Sequence, residues 1–238
     1  MAGGVAHLAL VYGAVRRTGL VPRLRLPRLD ADVRRFWVLA VPAIIAGGIT
    51  QINIFVGTVI ASGADGVMSI IYNADRLYQL PLGIIGIGVG TALLPAMSRL
   101  IGADDVPGAI SQQNRAMELV LILTLPAAAG LVVAAQPIVA LLFQHGEFTA
   151  ADSLATAAAL SGFALGLPAY VLIKVLTPGF HARSDTTTPV RVAIAAMLVN
   201  LVANLALVWP LGHVGIALGT AISAWVNALA LWWLLRQR

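Results

Sequence analysis

No cysteine occurs in the 238 residues, which excludes a disulfide framework, a thiolate metal site and a cysteine nucleophile. Charge is scarce too. Asp, Glu, Lys and Arg together make up 11% of the chain, where an average soluble domain has about a quarter. With 59% hydrophobic residues and a mean hydropathy of +0.90, too few polar side chains remain to coat a folded surface in water. The surplus apolar surface is therefore expected to face lipid. The chain also lacks the residue groupings of an enzyme: no nucleophile triad, paired carboxylates or Walker loop can be found.

Six long apolar segments are present, near 36 to 62, 67 to 100, 116 to 143, 153 to 177, 188 to 209 and 213 to 235. Each is long enough to cross a bilayer as a helix. Short connections rich in turn residues separate them: 62 to 66, 102 to 108, His145-Gly146-Glu147, Pro178-Gly179 to Pro189, and Pro210-Leu211-Gly212. The shorter alternating segments of a transmembrane barrel are absent. The expected fold is thus all-α, a polytopic helix bundle. Residues 36 to 238 form its six-span lobe, and 16 to 35 a basic linker. Residues 1 to 15 are too short to span, have no basic region ahead of them, and are expected to be the tail of a truncated helix.

The net charge of +5 and a pI near 10.4 raise the question of nucleic acid. The cations, however, sit in short clusters between apolar runs rather than on one polar domain, so no nucleic-acid partner is expected. Their placement gives an orientation. Arg16, Arg17, Arg23, Arg25, Arg28, Arg34 and Arg35 precede the first full span. Arg99 and Arg115 flank the loop after the second, Lys174, Arg183 and Arg191 the loop after the fourth, and Arg236 and Arg238 follow the sixth. The alternate loops carry only acids: Asp65, Glu147 and Asp152. Cytoplasmic loops retain Lys and Arg, so both ends of the six-span unit are expected in the cytoplasm. The stretch from Arg17 to Arg35, interrupted by Pro22 and Pro27, is expected either to lie on anionic membrane lipids or to be a plain charged linker.

One cation is left over. Arg76 follows Asp75 and leads into the apolar run Leu77 to Leu94. An arginine at mid-membrane costs about 2.5–3.5 kcal/mol on insertion scales, so it is expected to face a water-filled cavity or a partner. There its planar fork suits phosphate oxygens. The plainer alternative is a local pair with Asp75 near the outer interface, although neighbours on a helix point about 100° apart. On the same segment, Gly86-Ile87-Gly88-Val89-Gly90 resembles a nucleotide loop only by composition, because no strand precedes it. Gly86 with Gly90, Gly162 with Gly166, and Gly215 with Gly219 have the spacing that lets membrane helices approach closely. Pro81, Pro95, Pro126, Pro137 and Pro168 are expected kink sites.

Asn200 and Asn204 share a face of the fifth span, and Thr220, Ser223 and Asn227 lie on the sixth. Their oxygens suit either a cation such as sodium or interhelical hydrogen bonds. His145-Gly146-Glu147 makes no metal site, and Asp185 to Pro189 reads as a helix-entry turn.

Several blocks point to a known family. The run Tyr72-Asn73-Ala74-Asp75-Arg76-Leu77-Tyr78-Gln79-Leu80-Pro81-Leu82-Gly83, continuing through Gly90-Thr91-Ala92-Leu93-Leu94-Pro95, resembles the signature of the MurJ/MviN lipid II flippases. So do Leu142-Phe143-Gln144-His145-Gly146-Glu147-Phe148-Thr149, the run Lys174 to Arg183, and Thr188-Pro189-Val190. The resemblance implies a MATE-like fold of two six-helix lobes followed by two helices, related to multidrug and polysaccharide exporters. This chain would supply the end of the sixth helix and helices seven to twelve, and the N-terminal lobe would be a missing partner.

It also implies alternating-access transport of lipid II, the undecaprenyl-diphosphate-linked peptidoglycan precursor, across the bacterial inner membrane. Arg76 would hold the diphosphate in the cavity beside Asp75 and Gln79. Some members carry a glutamate where Gln79 stands. A sodium site known in some members uses acids where this chain has Gly57, near Asn53, and Asn204. The candidate cation site is therefore Asn53, Asn200, Asn204 and Thr220, with sodium or the membrane potential as coupling source and no other cofactor. Alternatives are an exporter of another polyprenyl-linked oligosaccharide or a drug, or a membrane fragment that does not transport. By itself the chain is expected to be inactive.

Overall fold

The computed structural model describes residues 66–237 continuously and, before them, Gly4, His7, Leu10, Val11, Tyr12, Val15, Val33, Trp37 and Val41, all helical. The expected first span at 36 to 62, including Asn53 and Gly57, lies outside the described residues apart from Trp37 and Val41. The basic linker lies outside them apart from Val33.

The described residues contain helices and no strand. Helix α1 (Val67–Pro81), a π-helical stretch (Leu82–Ile87) and α2 (Gly88–Gly102) run on as one span of 36 residues. Helix α3 (Val106–Val133) is followed by the short α4 (Ala135–Phe143). Helices α5 (Ala150–Ala164) and α6 (Leu167–His181) together make a span of 32 residues. Helices α7 (Thr187–Leu211) and α8 (His213–Arg236) complete the bundle. Among the described residues, five spans are thus long and apolar enough to cross a membrane.

Local chemistry explains most of the boundaries. Asp105 caps α3 by accepting a 2.9 Å hydrogen bond from the Gly108 N–H, and Pro107 sits where a missing N–H is harmless. The helix therefore starts at Val106, well before the apolar run expected from Ala116. Thr149 and Asp152 form a reciprocal capping box at the start of α5. Asp185 Oδ1 accepts from the N–H groups of Thr187 and Thr188, as the expected entry turn of α7 requires. Gly212, at φ 56 and ψ −132, makes the turn into α8.

Three of the five prolines expected to kink helices lie at irregularities. Pro81 precedes the π-helical stretch, Pro137 follows the break at Ala134, and Pro168 follows the break at Leu165-Gly166. Each removes a donor for a carbonyl four residues earlier. The indole N–H of Trp225 donates to Leu165 O at the third break, 2.9 Å away. Pro95 and Pro126 instead sit inside continuous helices.

One loop was misplaced by the sequence reading. Pro178 and Gly179 belong to α6, which continues to His181, because both are buried among neighbouring helices and packing outweighs their turn preference. Lys174 therefore lies within a span instead of beside a loop. This removes one cation from the orientation argument without moving any to the opposite side.

The core is apolar, but many large apolar side chains also lie on the surface, unlike in a soluble protein. Trp209, Val133, Leu141 and Ile84 are exposed, at 88%, 85%, 83% and 78%. Gln113, Thr124, Thr156, Asn200 and Asn204 are buried. In lipid this is the favourable arrangement, because the exposed apolar groups meet acyl chains while Gln113, Thr124, Asn200 and Asn204 hydrogen-bond within the bundle. The α5–α6 span is the axis of the lobe: two-thirds of its most apolar window is buried, against 17% for the first span. Its run of Ala and Gly makes that position sterically accessible.

All three glycine pairs face a neighbouring helix. A Cβ on Gly86 would lie 3.5 Å from Lys174 Cγ, and one on Gly90 would lie 3.5 Å from Lys174 O, so this pair receives α6. A Cβ on Gly162 would meet Ala217 Cβ at 2.9 Å, and one on Gly166 would meet Ala221 Cα at 2.9 Å, so that pair receives α8. On Gly215 and Gly219 it would run into Leu207 O and Asn204 Oδ1 of α7.

Candidate functional site

Helix α1 buries Ile70, Ala74, Leu77 and Tyr78 against the bundle. Those positions recur with helical spacing, so the opposite face, with Tyr72, Arg76, Gln79 and Leu80, is exposed. Tyr78 anchors the helix from behind. Its ring stacks on Phe163 and meets Tyr170 edge-on, with centroids 5.7 Å away in each case. The exposed face is therefore held in a fixed rotation.

Arg76 and Asp75 each find a partner one turn away on their own helix. Arg76 Nη2 donates to the Tyr72 hydroxyl at 2.8 Å, and its guanidinium lies 4.8 Å from the Tyr72 ring centre. That geometry combines a hydrogen bond with attraction to the ring face. Gln79 Nε2 donates to Asp75 Oδ2. Asp75 is half-buried, whereas Arg76 and Gln79 are exposed. Arg76 uses one of its five donors on Tyr72, leaving a fork that can accept an anion. Two cavities, of about 650 and 360 Å³, lie toward the far end of the first span, and Arg76 lines neither. The guanidinium is exposed on α1.

The structure brings Asn200, Asn204 and Thr220 together and adds Ser223. Asn200 Nδ2 donates to Thr220 Oγ1 at 3.4 Å and to Ser223 Oγ at 3.3 Å, and Asn204 Nδ2 donates to Asn200 Oδ1 at 3.0 Å. Asn53, the fourth expected ligand, lies outside the described residues. As a cation site the set is poor. Its members are neutral, amide N–H groups already point at the Asn200, Thr220 and Ser223 oxygens, and only Asn204 Oδ1 is buried without a donor. No cluster of three or more His, Asp or Glu able to hold a metal occurs among the described residues. Interhelical hydrogen bonds join the seam.

Sequence reasoning missed two residues. Tyr72, four positions before Arg76, was the helical-spacing signal for its partner. Lys174 is exposed on α6, with its stem over Gly86 and Gly90. It lies inside the helix, where the sequence pattern predicts the end of a span.

Comparison with known proteins agrees with this architecture. The family model described as "Lipid II flippase MurJ" matches residues 1–238. A "Probable lipid II flippase MurJ" from Rhizobium tropici is 44% identical over the whole chain, which covers 45% of that relative. One from Rhizobium meliloti is 47% identical over 97% of the chain, covering 43% of the relative. A solved structure of lipid II flippase MurJ in an inward closed conformation matches 89% of the chain and 45% of its own length, at 28% identity and a TM-score of 0.76. An inward-facing multidrug resistance MATE family transporter of the MOP superfamily shares the fold, with a TM-score of 0.77 at 16% identity over 89% of the chain and 49% of its own. The chain spans less than half the length of these curated relatives. It is a multi-pass membrane protein, and it belongs to the lipid II flippase MurJ family.

Proposed function

We propose that this chain is one lobe of a transporter that moves lipid II across the bacterial inner membrane, and that Arg76 binds the diphosphate of the carrier lipid. The observation that carries this reading is an exposed guanidinium on a membrane-spanning helix whose described hydrogen-bond partner is a neutral tyrosine. An arginine held this way costs too much to face acyl chains and suits a phosphate entering from an aqueous cleft. The cleft would form where a second lobe faces α1, so the isolated chain would not transport. Asp75 and Gln79, joined to each other one turn apart, would set the local charge beside the diphosphate.

Both ends of the six-span unit would lie in the cytoplasm, supported by Arg99, Arg115, Arg183, Arg191 and Arg236 at one end of the bundle and by Glu147 and Asp152 at the other. Of the two coupling sources considered, the membrane potential is the better candidate, because the seam of Asn200, Asn204 and Thr220 offers no carboxylate. Transport that continues undiminished when sodium is replaced by potassium would support this, and loss of transport would contradict it.

The test of the main reading is growth of cells depending on a full-length protein that contains this lobe. Arg76→Ala should abolish growth and Arg76→Lys should support it poorly, since a point charge replaces a planar fork. Normal growth with Arg76→Ala would remove the assignment. A different cargo, another polyprenyl-linked oligosaccharide or a drug, is the second reading, and the fold shared with a multidrug transporter is compatible with the drug. Competition between lipid II and other carrier lipids for binding separates the two.

A further inference from the structure

The cavity of about 360 Å³ lies between α2, α3, α6 and α8, at the end of the bundle where the described arginines outside α1 gather. Its polar lining is Gln113, Asn114, Arg183 and Arg236, and its apolar walls include Met117 and Leu176. Among the described residues no carboxylate lines it. Asp185, the acid nearest Arg183 in sequence, has its oxygens turned to Thr187 and Thr188.

Among the described residues the two arginines are held without an acid. Arg183 Nη1 donates to Gly179 O at 2.8 Å, satisfying one of the last carbonyls of α6 and leaving the rest of the fork available. Arg236 lies 5.3 Å from the Trp232 ring centre. Gln113, 4% exposed, fixes α3 to α6 by donating Nε2 to Val175 O at 2.7 Å. The space for its amide exists because Gly179 has no side chain; a Cβ there would lie 2.8 Å from Gln113 Oε1.

We propose that this cavity is a binding site for the headgroup of an anionic membrane phospholipid, distinct from the Arg76 face. Two unneutralised guanidinium groups at the rim of a bundle match a lipid phosphate with its negative headgroup, and the methionine and leucine walls match the first acyl carbons. A zwitterionic lipid would offer the same phosphate with a compensating ammonium and should bind less well.

Native mass spectrometry of the 238-residue chain, titrated in detergent with dioleoylphosphatidylglycerol or dioleoylphosphatidylcholine, tests the site. Phosphatidylglycerol should be retained at roughly thirtyfold lower concentration, as two interfacial arginines imply. The double variant Arg183→Gln and Arg236→Gln should lose that preference. The pair Arg99→Gln and Arg191→Gln, at the same end but outside the cavity, should keep it. Asn114→Trp, which fills the cavity and spares both arginines, serves as a second variant should the first fail to fold, and it too should lose the preference. Equal retention of the two lipids, or a preference that survives in either cavity variant, would overturn the proposal.

Discussion

At the residue scale the account turns on how α1 presents Arg76. The Tyr72 hydroxyl and ring hold the guanidinium while neutralising none of its charge. Replacing Tyr72 with Phe keeps the ring and removes the hydroxyl, so complementation should weaken only mildly, whereas Tyr72→Ala should approach the defect of Arg76→Ala. Growth curves across this series check the order. Equal growth for all three would mean that the pairing is incidental. Arg76 was legible in the sequence because a charge inside an apolar run is expensive. Its rotation was not, because that depends on Tyr78 packing against Phe163 and Tyr170, more than eighty residues away. Lys174 escaped notice for a related reason: buried Pro178 and Gly179 continue a helix that local rules would end.

At the element scale, close packing and polar bonding can be compared by magnitude. Interhelical hydrogen bonds in membranes average about 0.6 kcal/mol, while overpacking a tight contact costs about 1–3 kcal/mol. Gly215→Ala and Gly166→Ala, which drive a Cβ into α7 and α8 backbone atoms, should therefore lower thermal stability more than Asn204→Leu does. Gly90→Ala, whose new Cβ would stand at ordinary contact distance from Lys174 O, should be nearly neutral. Thermal unfolding in detergent gives the ranking, and a Gly90→Ala defect as large as that of Gly215→Ala would refute it. The glycine pairs were readable from spacing alone, but their partners were not. The π-helical stretch after Pro81 was readable only as a kink, since a proline marks where a helix is irregular without fixing how the chain resolves it.

At the scale of the whole molecule, five of the six spans expected from the hydropathy pattern are found among the described residues, because lipid forces every crossing segment to close its own backbone hydrogen bonds. The absence of cysteine makes the orientation directly measurable. A single cysteine at Glu147 should react with an impermeant maleimide in intact spheroplasts, and one at Ser184 should react only after the membrane is opened. The reverse pattern would invert the topology. The claim on which transport rests is tested most directly by lipid II binding to a full-length protein containing this lobe. Arg76→Ala should weaken binding about ten- to hundredfold, the range expected for losing a charge-assisted contact to phosphate. An unchanged dissociation constant, in a variant that remains folded, would contradict the account.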